Sequence, residues 1–158
     1  MQITIRRAVE TDAPTACDVL RRSIRELCVE DHHNDEEILR QWLANKTEET
    51  LRRWIVSDAS FTVVALRGER VCGFGMVHET GEVLLCYVEP EARFIGVSTL
   101  ILEALEQQGR SWGLQKLFLT STITARSFYE RRGWIISGDP IAEFGMQRIF
   151  PMTKALAK

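Results

Sequence analysis

The central part of the chain constrains the fold most strongly, because short turns and one long helix leave few ways to connect its strands. Three short apolar segments follow one another, separated by two four-residue polar turns that each contain a glycine: 61–66, 71–78 and 83–88. Turns this short join antiparallel neighbours. An apolar helix at 97–112 and a strand at 116–122 come next, which predicts a right-handed crossover to a parallel strand.

The flanking regions complete one domain, 1–158. A strand at 3–8 precedes an amphipathic helix that Asp12 caps and that runs to about residue 28. Asn34 is predicted to cap a second helix, and a third begins near Thr47. A short helix and two closing strands end the chain: 124–132, 134–137 and 146–152. The order predicts an α/β (α+β) fold with a mixed, mostly antiparallel sheet of about six or seven strands and helices on both faces.

The composition of the chain argues against some classes of binding partner. Twenty basic and 22 acidic residues give a net charge of −2, which disfavours nucleic acid or an anionic membrane as a partner. The four cysteines form no CxxC pair, so they predict buried thiols in a reducing compartment rather than a zinc site or a disulfide framework. The N-terminal residues lack a signal-peptide pattern. These features predict a cytoplasmic protein without membrane segments.

The turn between the strand at 83–88 and the following helix is the strongest candidate site. Arg93, Gly96 and Ser98 lie at or just before the helix start. The first amides of a helix have no partner within it and carry partial positive charge, so small residues and a cation there favour a diphosphate. The alternative is an ordinary turn with a glycine for tight packing. The G-x-G-x-x-G and GK[ST] phosphate motifs are absent from the sequence.

Two segments resemble the GNAT acetyltransferase superfamily. The first, LLCYVEPEARFIGVSTLILEAL, matches a strand ending in Val-x-Pro followed by Arg-x-x-Gly-x-small, with Arg93, Gly96 and Ser98 in register. The second, TSTITARSFYERRGW, resembles the pattern Asn-x-x-Ala-x-x-Phe-Tyr-x-x-x-Gly-Phe. The two lie in the family's order and about 30 residues apart.

The resemblance implies an enzyme that moves an acetyl group from acetyl-CoA to a primary amine by direct attack. It implies that the pantetheine arm lies along the strand at 83–88 and that an amide of this strand meets the oxyanion. Tyr129 falls on the family's tyrosine that protonates the leaving thiolate. The implied cofactor-binding residues are Tyr87, Val88, Arg93, Phe94, Ile95, Gly96, Val97, Ser98, Thr99 and Thr122.

The sequence also departs from the family pattern. Ser98 replaces a second glycine, Phe94 and Ile95 replace residues that are often glycine and a cation, and Thr122 replaces asparagine. The changes predict weaker contacts to the cofactor. They leave open an alternative function as a non-catalytic module that binds or senses acyl-CoA.

The acceptor is expected on the side of the first helices. Glu30, Asp31 and His32 lie in the polar stretch 28–35, and they predict an acidic lip suited to a cationic amine of a small molecule or a peptide. A solvated loop without a role is the alternative, and the histidine spacing does not predict a metal site. His78 is a second candidate base. The resemblance further implies a possible homodimer through the closing strands.

Overall fold

The computed structural model describes residues 2–157. Within them the strands are β1 Ile3–Arg7, β2 Ser60–Arg67, β3 Arg70–His78, β4 Val83–Val88, β5 Lys116–Ser121, β6 Ile135–Ile136, β7 Ile141–Glu143 and β8 Met146–Ala155. The helices are α1 Ala13–Leu27, α2 Val29–His32, α3 Glu36–Leu43, α4 Glu48–Val56, α5 Val97–Ser111 and α6 Ile123–Glu130. The predicted mixed, mostly antiparallel fold with helices on both faces is confirmed.

The strands form two antiparallel halves that meet at β4 and β5. The first half has the order β1-β2-β3-β4, and the second has β5-β8-β6 with β7 also paired to β8. One parallel bridge, between Glu82 and Phe118, joins the halves, and the Phe118 amide donates to the Gly81 carbonyl at 3.0 Å. Beyond this bridge, no ladder pairing between β4 and β5 occurs in residues 2–157. The single parallel contact is the crossover that the sequence predicted.

The sheet carries a core on each face because its side chains alternate. Val63 and Ala65 of β2 pack in one cluster with residues of α5. Val64, between them, packs in another cluster with residues of α1 and α4. All three are at most 2% exposed. This period of two is what a strand covered on both sides requires.

The close packing of α5 on β3 depends on a glycine in β3, Gly73, which has no side chain. A Cβ atom at Gly73 would lie 2.7 Å from Ile101 Cδ1 and 3.2 Å from Val97 Cγ1. Real Cβ atoms do not approach that closely, so a larger residue would push the helix off the sheet. Gly73 therefore sets how closely α5 packs on β3, and with it the position of the helix N-terminus.

Two predicted helix caps were wrong: Asp12 stands at the N-cap position without capping, and the cap of α3 is one residue later than predicted. The Asp12 carboxylate does not cap α1. It accepts from the Val9 amide at 2.8 Å and pairs with Arg6, because a single 3₁₀ turn at Glu10–Asp12 precedes the helix. Asp35, rather than Asn34, caps α3, since Asp35 Oδ1 accepts from the Glu37 and Ile38 amides. Thr47 caps α4, as the predicted start near this residue requires.

The strand β7 was missed by the sequence reading. It has three residues, all exposed, so burial imposed no alternation that a pattern could reveal. No helix in residues 2–157 combines the length and the apolarity needed to cross a bilayer. The four cysteines are free thiols, three of them buried.

Candidate active site

The open edge of β4 forms one wall of a cavity of about 530 Å³, called here the larger cavity. One edge of β4 is paired with β3, while the other is free of a partner strand beyond the bridge at Glu82. The remaining walls come from the end of β5, from α6 and from the turn into α5. A strand edge without a partner offers unpaired main-chain groups to a ligand.

The N-terminus of α5 opens into the larger cavity without a cap from a side chain. Gly96 is the N-cap residue, with φ 88° and ψ 3°. The Leu100 amide, which donates to the Gly96 carbonyl at 3.2 Å, makes the first bond of the helix. The amides before it therefore lack partners within the helix. This is the arrangement that binds phosphate groups at helix N-termini.

Gly96 does not serve packing. A Cβ atom built there would meet no atom of the described residues within 4 Å. The glycine is needed for its positive φ, which other residues adopt only with strain, and its open side leaves room beside the amides. The packing alternative for this glycine is therefore wrong.

The structure brings nearly all predicted cofactor residues together. Those that line the larger cavity are Tyr87, Val88, Arg93, Phe94, Gly96, Val97, Ser98, Thr99 and Thr122. Ile95 does not line it and is 47% exposed. The Phe94 side chain is 89% exposed on a backbone of φ 68°. Arg93 is also exposed, with its guanidinium carbon 4.5 Å from the centre of the Phe94 ring.

Arg132 is a cation that the sequence reading missed. Its side chain lines the larger cavity, its Nε donates to Thr99 Oγ1 at 2.9 Å and its Nη1 donates to the Phe128 carbonyl at 3.0 Å. The guanidinium also lies 4.0 Å from the centre of the Phe128 ring. Arg132 thus ties the end of α6 to the start of α5 and adds positive charge where the turn itself lacks a second cation. The only sequence signal was its place just before Gly133.

Tyr129 lies in the wall of the larger cavity and is 7% exposed. Its ring is held edge-on between Phe128 and Trp134, with centroid distances of 5.2 and 5.7 Å. Burial is the main cause that raises the pKa of the Tyr129 hydroxyl well above its usual value of 10, and the neighbouring Cys86 adds to it. The hydroxyl therefore keeps its proton at neutral pH and can donate it.

Cys86 lines the same cavity but is not an activated thiol. Burial raises its pKa to about 12, and the nearby Tyr129 and Arg132 only partly oppose that effect. A thiol with such a pKa is protonated at neutral pH, whereas a nucleophilic cysteine needs a lowered pKa. The geometry thus agrees with transfer without an acyl-enzyme.

Thr122 has a structural task besides its place in the cavity wall. Its Oγ1 accepts from the Ala125 amide at 3.1 Å and so caps α6. The hydroxyl hydrogen remains as a donor toward the cavity.

The predicted acidic lip does not form. Asp31 is 4% exposed, and its carboxylate accepts from the Ile123 amide at 2.7 Å, from the Thr124 amide at 3.2 Å and from Thr124 Oγ1 at 2.6 Å. The Asp31 carboxylate thus binds to the N-terminus of α6, where the helix dipole favours a negative charge. The expectation of an exposed acceptor site at Asp31 is therefore wrong.

His32 is also buried, with no exposed surface. Its Nδ1 accepts from the Asn34 amide at 2.9 Å, so its Nε2 is the donor to the Ile24 carbonyl at 2.9 Å. Both ring nitrogens are thus used by the protein. Glu30 is exposed but borders neither cavity described here. The predicted loop is instead the short helix α2, whose far side packs against α6.

A second cavity of about 320 Å³, called here the smaller cavity, reaches the same part of β4. The two cavities share the wall residues Val83, Leu84, Leu85, Tyr87, Thr120 and Thr122. Trp42 and Trp54 line the smaller cavity, although Trp42 is only 2% exposed. His78 lines neither cavity, and its Nδ1 is 2.9 Å from Thr80 Oγ1. A base role for His78 finds no support in this geometry.

Solved structures share this architecture over the whole chain. A GCN5-related N-acetyltransferase from Rhodopseudomonas palustris has a TM-score of 0.86 and 22% identity, covering 99% of this chain and 97% of its own. The PaiA N-acetyltransferase from Thermoplasma acidophilum, solved with coenzyme A, has a TM-score of 0.85 and 21% identity, covering 98% and 99%. The Escherichia coli ribosomal-protein-S18-alanine N-acetyltransferase has a TM-score of 0.70 and 18% identity, covering 99% and 96%. No curated protein matches the sequence significantly.

The family comparison goes beyond the fold. A model of the acetyltransferase (GNAT) domain matches residues 29–156, which include both motifs, the helix N-terminus at Gly96 and Tyr129. The match thus covers all of the larger cavity except Ser23, Leu27 and Cys28. With its fold and its candidate site both in place, the chain belongs to the GNAT family of acetyltransferases.

Proposed function

We propose that the protein transfers the acetyl group of acetyl-CoA to a primary amine by direct attack, with Tyr129 as the acid that protonates the leaving thiolate. The observation that carries the proposal is the meeting of three features in the larger cavity. These are the uncapped N-terminus of α5, the open edge of β4 and the buried hydroxyl of Tyr129. The helix N-terminus would bind the diphosphate of acetyl-CoA, the strand edge would bind its pantetheine arm, and the hydroxyl would protonate the leaving thiolate.

The protein is an acyltransferase of this family, and acetyl-CoA is its co-substrate. The residues present fit that molecule. The uncapped amides after Gly96, with Arg93 and Arg132 beside them, suit the diphosphate. The free main-chain groups of β4 suit the amides of the pantetheine arm, which would add to the sheet edge as a short strand.

Tyr129 suits the acid role because of its surroundings. A thiolate leaves more readily when a nearby group gives it a proton, and the donor must hold that proton until the bond breaks. Burial keeps the phenol neutral by raising its pKa, and the two aromatic contacts fix its ring. A main-chain amide of β4 is the proposed donor to the oxyanion that forms during attack.

The amine is proposed to enter from the smaller cavity. This cavity meets the larger one along β4, so an amine there would face the reacting carbonyl. One structural relative is named for acetylating an alanine of a ribosomal protein, which agrees with a primary amine as the acceptor. The acidic stretch at 28–35 no longer supports a cationic acceptor, since Asp31 and His32 are buried.

Two measurements test the proposal. Acetyl-CoA should raise the melting temperature of the protein, because ligand that binds only the folded state stabilises it. Release of free thiol from acetyl-CoA should depend on the amine in a panel of amino acids, aromatic amines, polyamines and peptides. Binding of acetyl-CoA without turnover by any amine would favour the non-catalytic sensing module instead.

The variant Tyr129→Phe tests the acid. We expect kcat to fall about 100-fold, which is the low end for loss of a general acid, while the Kd for acetyl-CoA changes little because the ring and its contacts remain. Amines whose acetylation is limited by thiolate departure should be affected most. A kcat equal to that of the wild type would remove Tyr129 from the mechanism.

A further inference from the structure

The smaller cavity contains a buried cation. Lys46, in the segment between α3 and α4, lines this cavity and is 5% exposed. Its Nζ donates to Asn45 Oδ1 at 2.8 Å and lies 5.5 Å from the centre of the Phe144 ring. Among residues 2–157, no carboxylate oxygen lies within 4 Å of this ammonium group.

An unpaired buried ammonium is unusual. Buried charges in proteins are paired or bind ions, because taking them out of water is costly. Burial lowers the pKa of Lys46 to about 8, and the more distant Glu143 partly opposes the effect. The side chain is therefore still mostly protonated at neutral pH. One neutral amide oxygen and one ring face leave an ammonium group with donors to spare.

The rest of the smaller cavity has both apolar and polar walls. The apolar walls include Trp42, Trp54, Met76, Leu85, Met146 and Ile149, and the polar ones include Asn45, Thr120 and Thr122. The carboxylates that border it are Glu82, which is half-buried, and Glu143, which is exposed. Its volume of about 320 Å³ lies at the low end for sites that bind small molecules. One buried cation among large apolar side chains suits a small molecule with an apolar part and a negative group, placed away from the two peripheral carboxylates.

A polycationic acceptor does not suit this cavity. A polyamine or an aminoglycoside would bring further positive charge toward the buried Lys46, and like charges repel. The buried ammonium thus selects against such acceptors as well as for an anion.

We propose that the smaller cavity binds an acceptor that carries a carboxylate, which Lys46 receives, while the acceptor's apolar part packs against Trp42 and Trp54 and its amine faces β4. The acceptor class is therefore a small apolar amino-carboxylate, such as an apolar amino acid. This inference rests on the proposed function, because the shared wall of the two cavities gives the amine its target.

The experiment compares acceptors in which the carboxylate is kept, replaced by an amide or removed, at pH values that give each series the same fraction of free amine. Leucine, leucinamide and 3-methylbutylamine form one series, and phenylalanine, phenylalaninamide and 2-phenylethylamine form another. The matching aminophosphonates separate a carboxylate site from a phosphate site. Steady-state thiol release from acetyl-CoA gives kcat and KM for the wild type, for Lys46→Met and Lys46→Arg, and for the exposed control Lys116→Met.

For the wild type we expect kcat/KM to be about 10-fold to 100-fold higher for the carboxylate than for its amide or amine, the value of one charge-assisted hydrogen bond. Lys46→Met should remove that preference by raising KM for the carboxylate, with little change for the uncharged amines and for acetyl-CoA binding. Lys46→Arg should keep part of the preference, and Lys116→Met should keep all of it.

Other results would overturn the inference. Equal kcat/KM values across each wild-type series would do so, and so would higher values for the phosphonates. A Lys46→Met variant that lowers kcat equally for charged and uncharged acceptors would instead make Lys46 a base or a structural residue. Unchanged acetyl-CoA binding by this variant shows that it is folded.

Calorimetric binding of N-acetylleucine and N-acetylleucinamide to the protein loaded with CoA tests the site without turnover. Binding of N-acetylleucine alone, lost in Lys46→Met, would support the carboxylate site even if no amine is acetylated, and the proposed function would then fail by itself. Absence of both binding and turnover would overturn the inference.

Discussion

The two cavities that meet at β4 are built in different ways. The larger cavity draws nearly all its walls from the continuous segment 83–132, and its centre is main chain: the uncapped helix N-terminus and the open strand edge. The smaller cavity is made of side chains from α3, α4, β3, β4, β5, β7 and β8 and from the segments between them, including the one that carries Lys46. In the proposed function, the larger cavity would bind acetyl-CoA through the backbone, and the smaller one would select the acceptor through side chains. The difference explains why one left a motif in the sequence and the other did not.

Charge placement separates the cavities as well. In the larger cavity Arg93 and Arg131 are exposed, and Arg132 is half-buried among hydrogen-bond acceptors. In the smaller cavity Lys46 is buried with one neutral partner. Surface cations cost little to maintain, whereas a buried one lowers stability unless a ligand or partner charge compensates it.

The largest expected effect is on stability as a function of pH. The folded pKa of Lys46 is about 8, below its usual 10.5, so between these pH values the unfolded chain binds more protons and stability rises with pH. At pH 7 the free energy of unfolding of Lys46→Met should exceed that of the wild type by about 3 kcal/mol at most. This difference should disappear by about pH 10.5, where the lysine is neutral in both states.

Urea unfolding of both proteins between pH 7 and pH 10.5 measures this difference and cancels the titration of other groups. The charged groups around Lys46 are Glu143 and Glu82 at the cavity, and Arg21, whose Nη1 donates to the Lys46 carbonyl at 2.8 Å. If the difference in free energy of unfolding does not change with pH, burial of the charged Lys46 does not lower the stability of the protein. The buried cation would then be no more costly than the exposed ones of the larger cavity.

An intermediate effect is expected where a distant residue supports the larger cavity. Asp31→Ala leaves the Ile123 and Thr124 amides and the Thr124 hydroxyl without their acceptor, so the free energy of unfolding should fall by about 2–3 kcal/mol. The exposed neighbour offers a control, since Glu30→Ala should change it by less than about 0.5 kcal/mol. Chemical denaturation measures the free energy of unfolding of both variants. Equal losses would mean that the hydrogen bonds of Asp31 do not stabilise the N-terminus of α6.

The smallest expected effect separates the backbone conformation from the ligand contact. Gly96 and Gly113 lie at opposite ends of α5, both with positive φ, and an added Cβ at either would have no atom of residues 2–157 within 4 Å apart from its chain neighbours. Alanine at either position should lower the free energy of unfolding by about 1–2 kcal/mol. Gly96→Ala alone should also weaken acetyl-CoA binding, by about 10-fold.

Thermal unfolding and calorimetric titration with acetyl-CoA measure the two consequences of these glycine variants. Equal acetyl-CoA affinities for Gly96→Ala and Gly113→Ala would show that the turn at Gly96 is only a turn. The backbone at Gly96 would then not contribute to acetyl-CoA binding, contrary to the view that the larger cavity binds its ligand through main-chain groups.

The order of strands and helices was predictable because each depends on local periodicity. The three antiparallel strands, the crossover through α5 and the uncapped turn at Gly96 all follow from neighbouring residues. The errors at Asp12 and Asn34 have another origin, since several polar residues near a helix start compete for the same amides. The short strand β7 was missed because its residues are exposed.

The sequence alone therefore determined the three antiparallel strands, the helix after Pro90 and the family, because hydrophobic periodicity and backbone-permissive residues act over a few positions. The place of β8 between β5 and β6 was not predicted. Only the packed molecule sets the burial and the contacts of Asp31, Lys46 and Arg132. Each is a charged side chain whose environment depends on residues far away in the chain: Asp31 meets α6 some 92 positions later. Burial and charge pairing are properties of the packed molecule, and no local pattern records them.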